Sequence, residues 1–517
     1  MRKFTRIKKI HDYEYAYEIT PYYDKKTKQI RQKSKYLGKL VDGEIKRINM
    51  SLPVNAFDYG DIVPLINIIE ELTINNILKE LLPENKSNLL LTIAINRLVN
   101  PVSMDNIKTW YERTYLHELY GNKLPLSSSS LSTFLEKLGS SNINMEFCSK
   151  FIKRFKKGGA LVYDVTSLSS YSKLMDLLEY GYNRDSDGLP QINLSVAVHK
   201  EQGLPIYYDI YPGSITDTSI LHNTIEKLAT FDIDDVALIL DKGFFSETNL
   251  NDLRDAKLQF MLPATFKNKC IKALVTLMKK DIEKGKHLQK YNGNILFVKE
   301  ANITLGQYSH NVYVFFDPKR ESDERIKLYH RLHSVIETLE HRKLRKWEKP
   351  TKVFEDIVGE FKQYMSWRVE DNTYKIKIKE KAVAQRLNRM GFTIMFYSGE
   401  YSWNEVWGWY HERDIVEKVF LFAKNYLETV PFNAQKTEVA KGLILVGFIA
   451  LILRFKLLRM MKDTDLNKHY SIPKLLLELS KIKRIKLKDG QYIISEISKK
   501  QREIIKALKI DHIISCA

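Results

Sequence analysis

Apolar and polar residues change their spacing several times along the chain, and each change marks a different kind of element. Over residues 1–50 they alternate, as in YEYAYEI at 13–19 and SKYLGKL at 34–40, with DKKTK at 24–28 between them. Alternation of period two around a turn predicts a small β-hairpin unit. From 51 to 157 the period is helical. DIVPLINIIEELTINNILKELL at 61–82 carries its apolar residues on one face, and SSSSLSTFLEKLG at 127–139 places serines before a helix and glycine after it. Short helices in series fit either a helix-turn-helix or plain helical packing.

The pattern changes again at Gly158-Gly159. ALVYDVTSL at 160–168, QINLSVAVHK at 191–200 and LPIYYDIYPG at 204–213 read as strands, the last two joined by the tight turn EQG. SILHNTIEKLATF at 219–231 reads as a helix, DVALILDKG at 235–243 as a buried strand, SETNLNDLRDAK at 246–257 as a helix and QFMLPAT at 259–265 as a strand. The order is β-β-β-α-β-α-β with the first three strands antiparallel, which is the order of an RNase H-like sheet. Residues 266–401 interrupt it with further strands (NGNILFVKE, HNVYVFFD, NTYKIKIKE) and a long charged helix at 321–343, and read as an inserted β-rich domain. The core resumes over 402–461. The tail at 462–517 reads as helix, hairpin, helix. The expected class is α/β: an RNase H-like mixed sheet flanked by helices, split into 158–265 and 402–461 by the insert, with a mainly helical N-terminal region and a small α+β C-terminal tail.

Composition narrows the function. A chain of 517 residues is too long for one core and predicts several domains. Lys and Arg outnumber Asp and Glu by 82 to 63, a net +19 that fits an anionic polymer as partner, although many soluble proteins are basic. Cys148, Cys270 and Cys516 are far apart with no CxxC pair, which argues against a disulfide framework or zinc site and fits a reducing cytoplasm. The start, MRKFTRIKKIHDYEY, has no apolar signal segment. The most apolar run, GLILVGFIALIL at 442–453, is too short to span a bilayer and reads as a buried helix, so no membrane is expected as partner.

Two acids stand where apolar strands give out, Asp164 in LVYDVTS and Asp241 in ALILDKGF. A carboxylate at the end of a buried strand is costly unless something compensates it. Each alone fits a turn or cap. Two on neighbouring strands fit an oxygen-ligand site for a hard divalent cation. Asp217 reads as a helix N-cap, Asp209 as outward-facing on its strand, and Asp187 as a turn residue. The stretch WYHERDIVEKVFLFAK at 409–424 reads as one helix. At about 100° per residue, Tyr410, Arg413, Glu417 and Lys424 fall within a wedge of about 60°. The row fits a solvated face poorly, because its one acid lies among cations and a phenol. It suits a helix that offers one carboxylate to a metal and lines up a phenol, a guanidinium and an ammonium along a phosphate backbone. Val416, Val419, Phe420 and Phe422 would pack on the sheet.

The spacing Y-x2-R-x3-E-x6-K, complete as Tyr410, Arg413, Glu417 and Lys424, resembles the signature of insertion-sequence DDE transposases that cut and paste through an RNase H-like domain. LVYDVTSLS resembles their first-aspartate segment. ALILDKGFFS resembles the second-aspartate motif, with Lys242 where arginine is usual. The segments at 189–221, SKYLGKL and ISKKQREIIKALKI are also similar, so the resemblance spans nearly the whole chain.

The resemblance implies that Asp164, Asp241 and Glu417 are the catalytic acids and hold two Mg²⁺ ions, or Mn²⁺, with no nucleotide cofactor. It implies cleavage at the terminal inverted repeats of the protein's own element, hairpin formation at the freed 3′-hydroxyl, and joining to target DNA. Tyr410, Arg413, Lys424 and Lys242 would bind that double-stranded DNA, with 51–157 as the end-binding region. A homodimeric synaptic complex and a prokaryotic, nucleoid-associated place in the cytoplasm are implied as well. The insert would stabilise a flipped base. Trp367 is the candidate stacking residue, and a tryptophan in the insert's own core is the other reading of it. A catalytically silent DNA-binding relative and an RNase H-fold nuclease without strand transfer are the competing functions.

Overall fold

The computed structural model describes all residues except 1, 11–12, 25–27, 42–43, 47–51, 156–158, 173, 183, 185–187, 232–235, 429–433 and 512–517. Asp187 and Cys516 therefore lie outside the described residues. The alternating N-terminal stretch forms four strands, β1 (Phe4–Ile10), β2 (Tyr13–Asp24), β3 (Gln29–Val41) and β4 (Glu44–Lys46), paired antiparallel in that order. A fifth strand, β5 (Pro53–Asp58), leads into the helices α1 (Val63–Glu71), α2 (Ile74–Leu81), α3 (Glu84–Val99), α4 (Ile107–Glu112), α5 (Tyr115–Tyr120), α6 (Ser128–Gly139) and α7 (Ile143–Ile152). Ser127 caps α6 by accepting from the Ser130 amide.

The central sheet begins with β6 (Gly159–Ser169), β7 (Gln191–His199) and β8 (Leu204–Pro212), paired antiparallel. Gly203, at φ +66°, closes the turn between the last two. After α8 (Asp217–Ala229) comes β9 (Val236–Ile239), parallel to β6. After α9 (Glu247–Asp255) comes β10 (Gln259–Pro263), parallel to β9. The five strands therefore lie in the order β10-β9-β6-β7-β8. Burial runs almost without break along β6, β7 and β8, polar residues such as Ser167, Asn193 and Ser195 included.

The expected insert does not stand wholly apart from this sheet. Following α10 (Lys269–Met278), β11 (Leu288–Tyr291), β12 (Asn294–Leu305) and β13 (Tyr308–Phe316) extend it antiparallel through β16 (Phe392–Tyr397), which pairs with β10. A second, smaller core sits between β13 and β16 in the chain. It is built from α11 (Pro318–His341), α12 (Pro350–Val358), the hairpin β14 (Met365–Glu370) and β15 (Thr373–Ile378), and α13 (Glu380–Leu387), around Leu332, Leu339, Phe354 and Tyr374.

The chain returns to the main core with α14 (Trp403–His411), α15 (Asp414–Glu428) and α16 (Thr437–Asp463). The apolar run at 442–453 lies in α16 and is buried between the N-terminal helices and β8. A Cβ on Gly139 would lie 1.8 Å from the Glu438 carbonyl oxygen, and one on Gly442 would lie 2.2 Å from that of Leu135. Glycine at both positions lets α6 and α16 cross backbone to backbone. Among the described residues, no helix is long and apolar enough to cross a membrane. The tail forms α17 (Ile472–Leu479), β17 (Lys483–Leu487), β18 (Tyr492–Ile494) and α18 (Lys499–Ala507). Its β17 also pairs with β5, which ties this tail to the start of the helical region.

Candidate active site

Backbone register builds the first half of the site. The parallel pairing of β6 and β9 sets Val162 opposite Ile239, so two residues further on Asp164 comes level with Asp241. Neighbouring strands lie about 4.8 Å apart, and residues at matching positions point to the same face. Asp164 keeps part of its surface exposed, yet burial pushes its pKa up to about 7. The nearby charge of Asp241 adds to the rise, and Arg184 opposes it. Asp164 also accepts a hydrogen bond from the Val165 amide at 2.7 Å. Asp241 sits where β9 gives way to a single 3-10 turn, with its carboxylate a third exposed.

Arg413 closes the second half. Its guanidinium donates to the Asp241 carboxylate and lies 4.6 Å from the centroid of the Tyr410 ring. The row from Tyr410 to Lys424 is not one helix. The chain leaves α14 after His411 and re-enters α15 at Asp414, with Glu412 and Arg413 in the turn between. Each of these two is held by a tertiary ion pair, Glu412 to Lys200 at 2.8 Å and Arg413 to Asp241. The expected 60° wedge is therefore corrected. Tyr410 and Arg413 meet by contact across the junction, while Glu417 and Lys424 share a stripe two turns long on α15.

Val416, Val419, Phe420 and Ala423 are buried on the inner side of α15. Phe422 turns instead toward α16, its ring 5.7 Å from that of Phe455 and capped by the Arg454 guanidinium at 4.0 Å. Glu417 is exposed in the first turn of α15, and Lys424 is half-buried further along it. Among the described residues, no three His, Cys, Asp or Glu side chains are gathered closely enough to hold a metal ion. The structure thus brings Asp164 and Asp241 together and leaves Glu417 apart from them. Carboxylate oxygens, one set desolvated and the other held by a cation, are the donor chemistry that a hard divalent ion takes.

Two other acids depart from expectation. Thr216, not Asp217, caps α8, accepting from the Ser219 amide. Asp217 stands in the first turn, ion-paired to Arg184 at 2.5 Å and close enough to raise the Asp164 pKa further. Asp209 is buried rather than outward-facing. The face of β8 that carries it lies under α8, and Lys227 of that helix pairs with it.

Beside the aspartates a cleft of about 630 Å³ opens between the end of the sheet and the smaller core. Lys242 and Tyr410 line it, as do Lys267, Arg320, Arg386 and Arg389, with Glu324 as the acid among them. Arg320 donates to Thr393 at 2.8 Å, while its buried Nε makes no hydrogen bond. These arginines, and Arg184, carry no local sequence signal. They come from separate segments, and only the tertiary fold gathers them. Trp367 does not line the cleft. Its ring packs 5.2 Å from Phe354 and 5.5 Å from Tyr374 in the smaller core, the alternative the sequence left open.

Comparison with curated proteins gives no match. Two solved structures are similar over 77% of this chain. They are a piggyBac transposase synaptic complex with hairpin DNA (8% identity, 70% of that chain, TM-score 0.35) and a Drosophila P element transposase strand transfer complex (11% identity, 90% of that chain, TM-score 0.19). At those scores neither likeness bears on the site. The model of the transposase DDE domain matches residues 156–453, which is more than half of the chain and contains Asp164, Asp241, Tyr410, Arg413, Glu417 and Lys424. The chain therefore belongs to the transposase DDE-domain family.

Proposed function

We propose that the protein is an insertion-sequence DNA transposase that binds the terminal inverted repeats of its own element, cleaves the ends by metal-dependent phosphoryl transfer and joins them to target DNA. The observation that carries the reading is the level placement of Asp164 and Asp241 on adjacent parallel strands, with Arg413 on the second. The strand order β10-β9-β6-β7-β8, with the first three strands antiparallel and the next two parallel to the first, supports an RNase H-like core.

In this reading Asp164, Asp241 and Glu417 hold two Mg²⁺ or Mn²⁺ ions. Bound there, the ions would lower the pKa of the attacking water or 3′-hydroxyl and stabilise the oxygen that leaves phosphorus. The chain's own residues do the rest. Arg413, fixed by Asp241 and the Tyr410 ring, presents a guanidinium where the phosphodiester enters, and planar guanidinium matches phosphate oxygens two at a time. Lys242, Arg320, Arg386 and Arg389 supply positive charge along the cleft for the strand next to the cut. Lys424 acts further along α15. Hairpin formation at the ends, pairing of two chains before cutting, and action at the nucleoid complete the proposal.

The test is incubation of the purified protein with Mg²⁺ and a labelled terminal repeat taken from the DNA beside the gene. Hairpin products followed by strand transfer support the whole reading. Binding without cutting assigns a silent relative, and cutting without joining assigns a nuclease.

A further inference from the structure

The N-terminal sheet has two unlike faces. Residues 1–46 hold 13 Lys and Arg against 6 Asp and Glu, so they supply +7 of the chain's +19 from less than a tenth of its length. Residues that pair across strands share a face. The pairs Phe4↔Ile19, Arg6↔Tyr17 and Lys8↔Tyr15, continued by Ile19↔Ser34, Tyr17↔Tyr36 and Tyr15↔Lys39, define one of them. On β1 to β3 this face carries no Asp or Glu. It carries Arg6, Lys8 and Lys39 among the rings of Phe4, Tyr15, Tyr17, Tyr23 and Tyr36.

Three of the rings touch one another. Tyr36 lies 5.4 Å from Tyr17 and 6.2 Å from Tyr15, and Lys8 stands 5.3 Å over Tyr17. Phe4 and Tyr36 are each 43% exposed and Tyr23 is 55% exposed. The opposite face mixes its charges, with Lys3 paired to Glu18 at 3.3 Å and Arg31 to Asp24 at 3.4 Å. A merely basic sheet would not sort its acids to one side.

We propose that the acid-free face binds a DNA strand, with Arg6, Lys8 and Lys39 on phosphates and the tyrosine rings stacked on unpaired bases. Charge complementarity selects a polyanion, and a run of exposed and half-buried rings between cations selects one with flat, unpaired faces. The inference does not depend on the cleavage chemistry.

The probe is a fluorescein-labelled oligothymidine about twenty nucleotides long, titrated against the full chain by anisotropy. Tyr17→Leu with Tyr36→Leu keeps apolar bulk but removes the rings. It should weaken binding about tenfold or more, the usual loss when a ring that stacks on a base is removed. Tyr17→Phe with Tyr36→Phe should restore it. Arg6→Glu with Lys8→Glu should lower the slope of log affinity against log salt by about 1.4. The same charge change on the other face, Lys33→Glu with Lys35→Glu, should cost much less.

Unchanged binding in the leucine pair, or equal losses from the two charge reversals, would overturn the proposal. So would a change of oligomeric state in the leucine pair with oligothymidine binding intact, which would assign the face to a second copy of the chain. Absent oligothymidine binding beside intact cleavage of the labelled repeat sinks this inference alone. The reverse result sinks only the cleavage reading.

Discussion

Asp164 and Asp241 stand on neighbouring parallel strands, whereas Glu417 stands on a helix that starts at a break in the chain. The strand pair is fixed by backbone hydrogen bonds in the middle of a covered sheet, where a slip by one residue would turn every side chain to the wrong face. The helix is positioned by side chains alone: Val416, Val419, Phe420 and Ala423 inward, and Arg413 at its entrance. Two acids are thus set by strand register, and the third is carried by a helix packed beside it.

The largest effects should break that comparison at its fixed end. Asp164→Asn and Asp241→Asn are each expected to lower end cleavage by about a thousandfold or more while end binding stays within a few-fold, as for loss of a group that acts in the transition state. Glu417→Gln should abolish cleavage equally, but differ in metal binding. If the strand pair forms the first cation site alone, Mn²⁺ titration followed by electron paramagnetic resonance will show one ion retained in Glu417→Gln. In the aspartate variants both should be lost. Loss of both ions in all three variants would show that the acids act as one closed set, and the contrast drawn between strand and helix would fail.

Arg413 tests the joint between the two regions. Arg413→Ala should reduce cleavage by about 10- to 100-fold, because it removes the group that holds Asp241 and, with it, the proposed charge-assisted contact to phosphate. Arg413→Lys should rescue little, since an ammonium neither reaches two oxygens at once nor lies flat on the Tyr410 ring. Full rescue would reduce Arg413 to a simple point charge.

The same contrast explains what could be read beforehand. Short apolar runs and the tight turn at Gly203 place β6 to β8 in order, and acids at strand ends single out Asp164 and Asp241. Those are local patterns. The break at Glu412 and Arg413 was invisible because a two-residue turn leaves the i, i+4 spacing of the surrounding helix intact. What marks it are ion pairs to Lys200 and Asp241, far away in the chain. The part of the insert that joins the sheet was hidden for a similar reason. Nothing in the alternation of β12, β13 and β16 says which edge they pair with. The burial of Asp209 and the pairing of β17 with β5 depend on α8 and on a segment more than 400 residues away, so neither had a local signal.

The smallest expected effect concerns the built-in pair without metal. Folding raises the Asp164 pKa from its ordinary value of 3.8 to about 7, chiefly by burial. Between those values the folded chain binds a proton that the unfolded chain does not, so stability falls as pH rises. The contribution is fully present below about 4 and is gone once the group ionises above about 7. Asp164→Asn keeps the shape without the charge. In EDTA it should match the parent at pH 4 and exceed it at pH 8 by on the order of 1–2 kcal/mol, seen as a higher Tm. Added Mg²⁺ should narrow the gap by stabilising only the parent. A variant no more stable than the parent at pH 8 would mean that Arg184 and Arg413 already cancel the buried charge, and the strand pair would then hold no electrostatic strain for a cation to relieve.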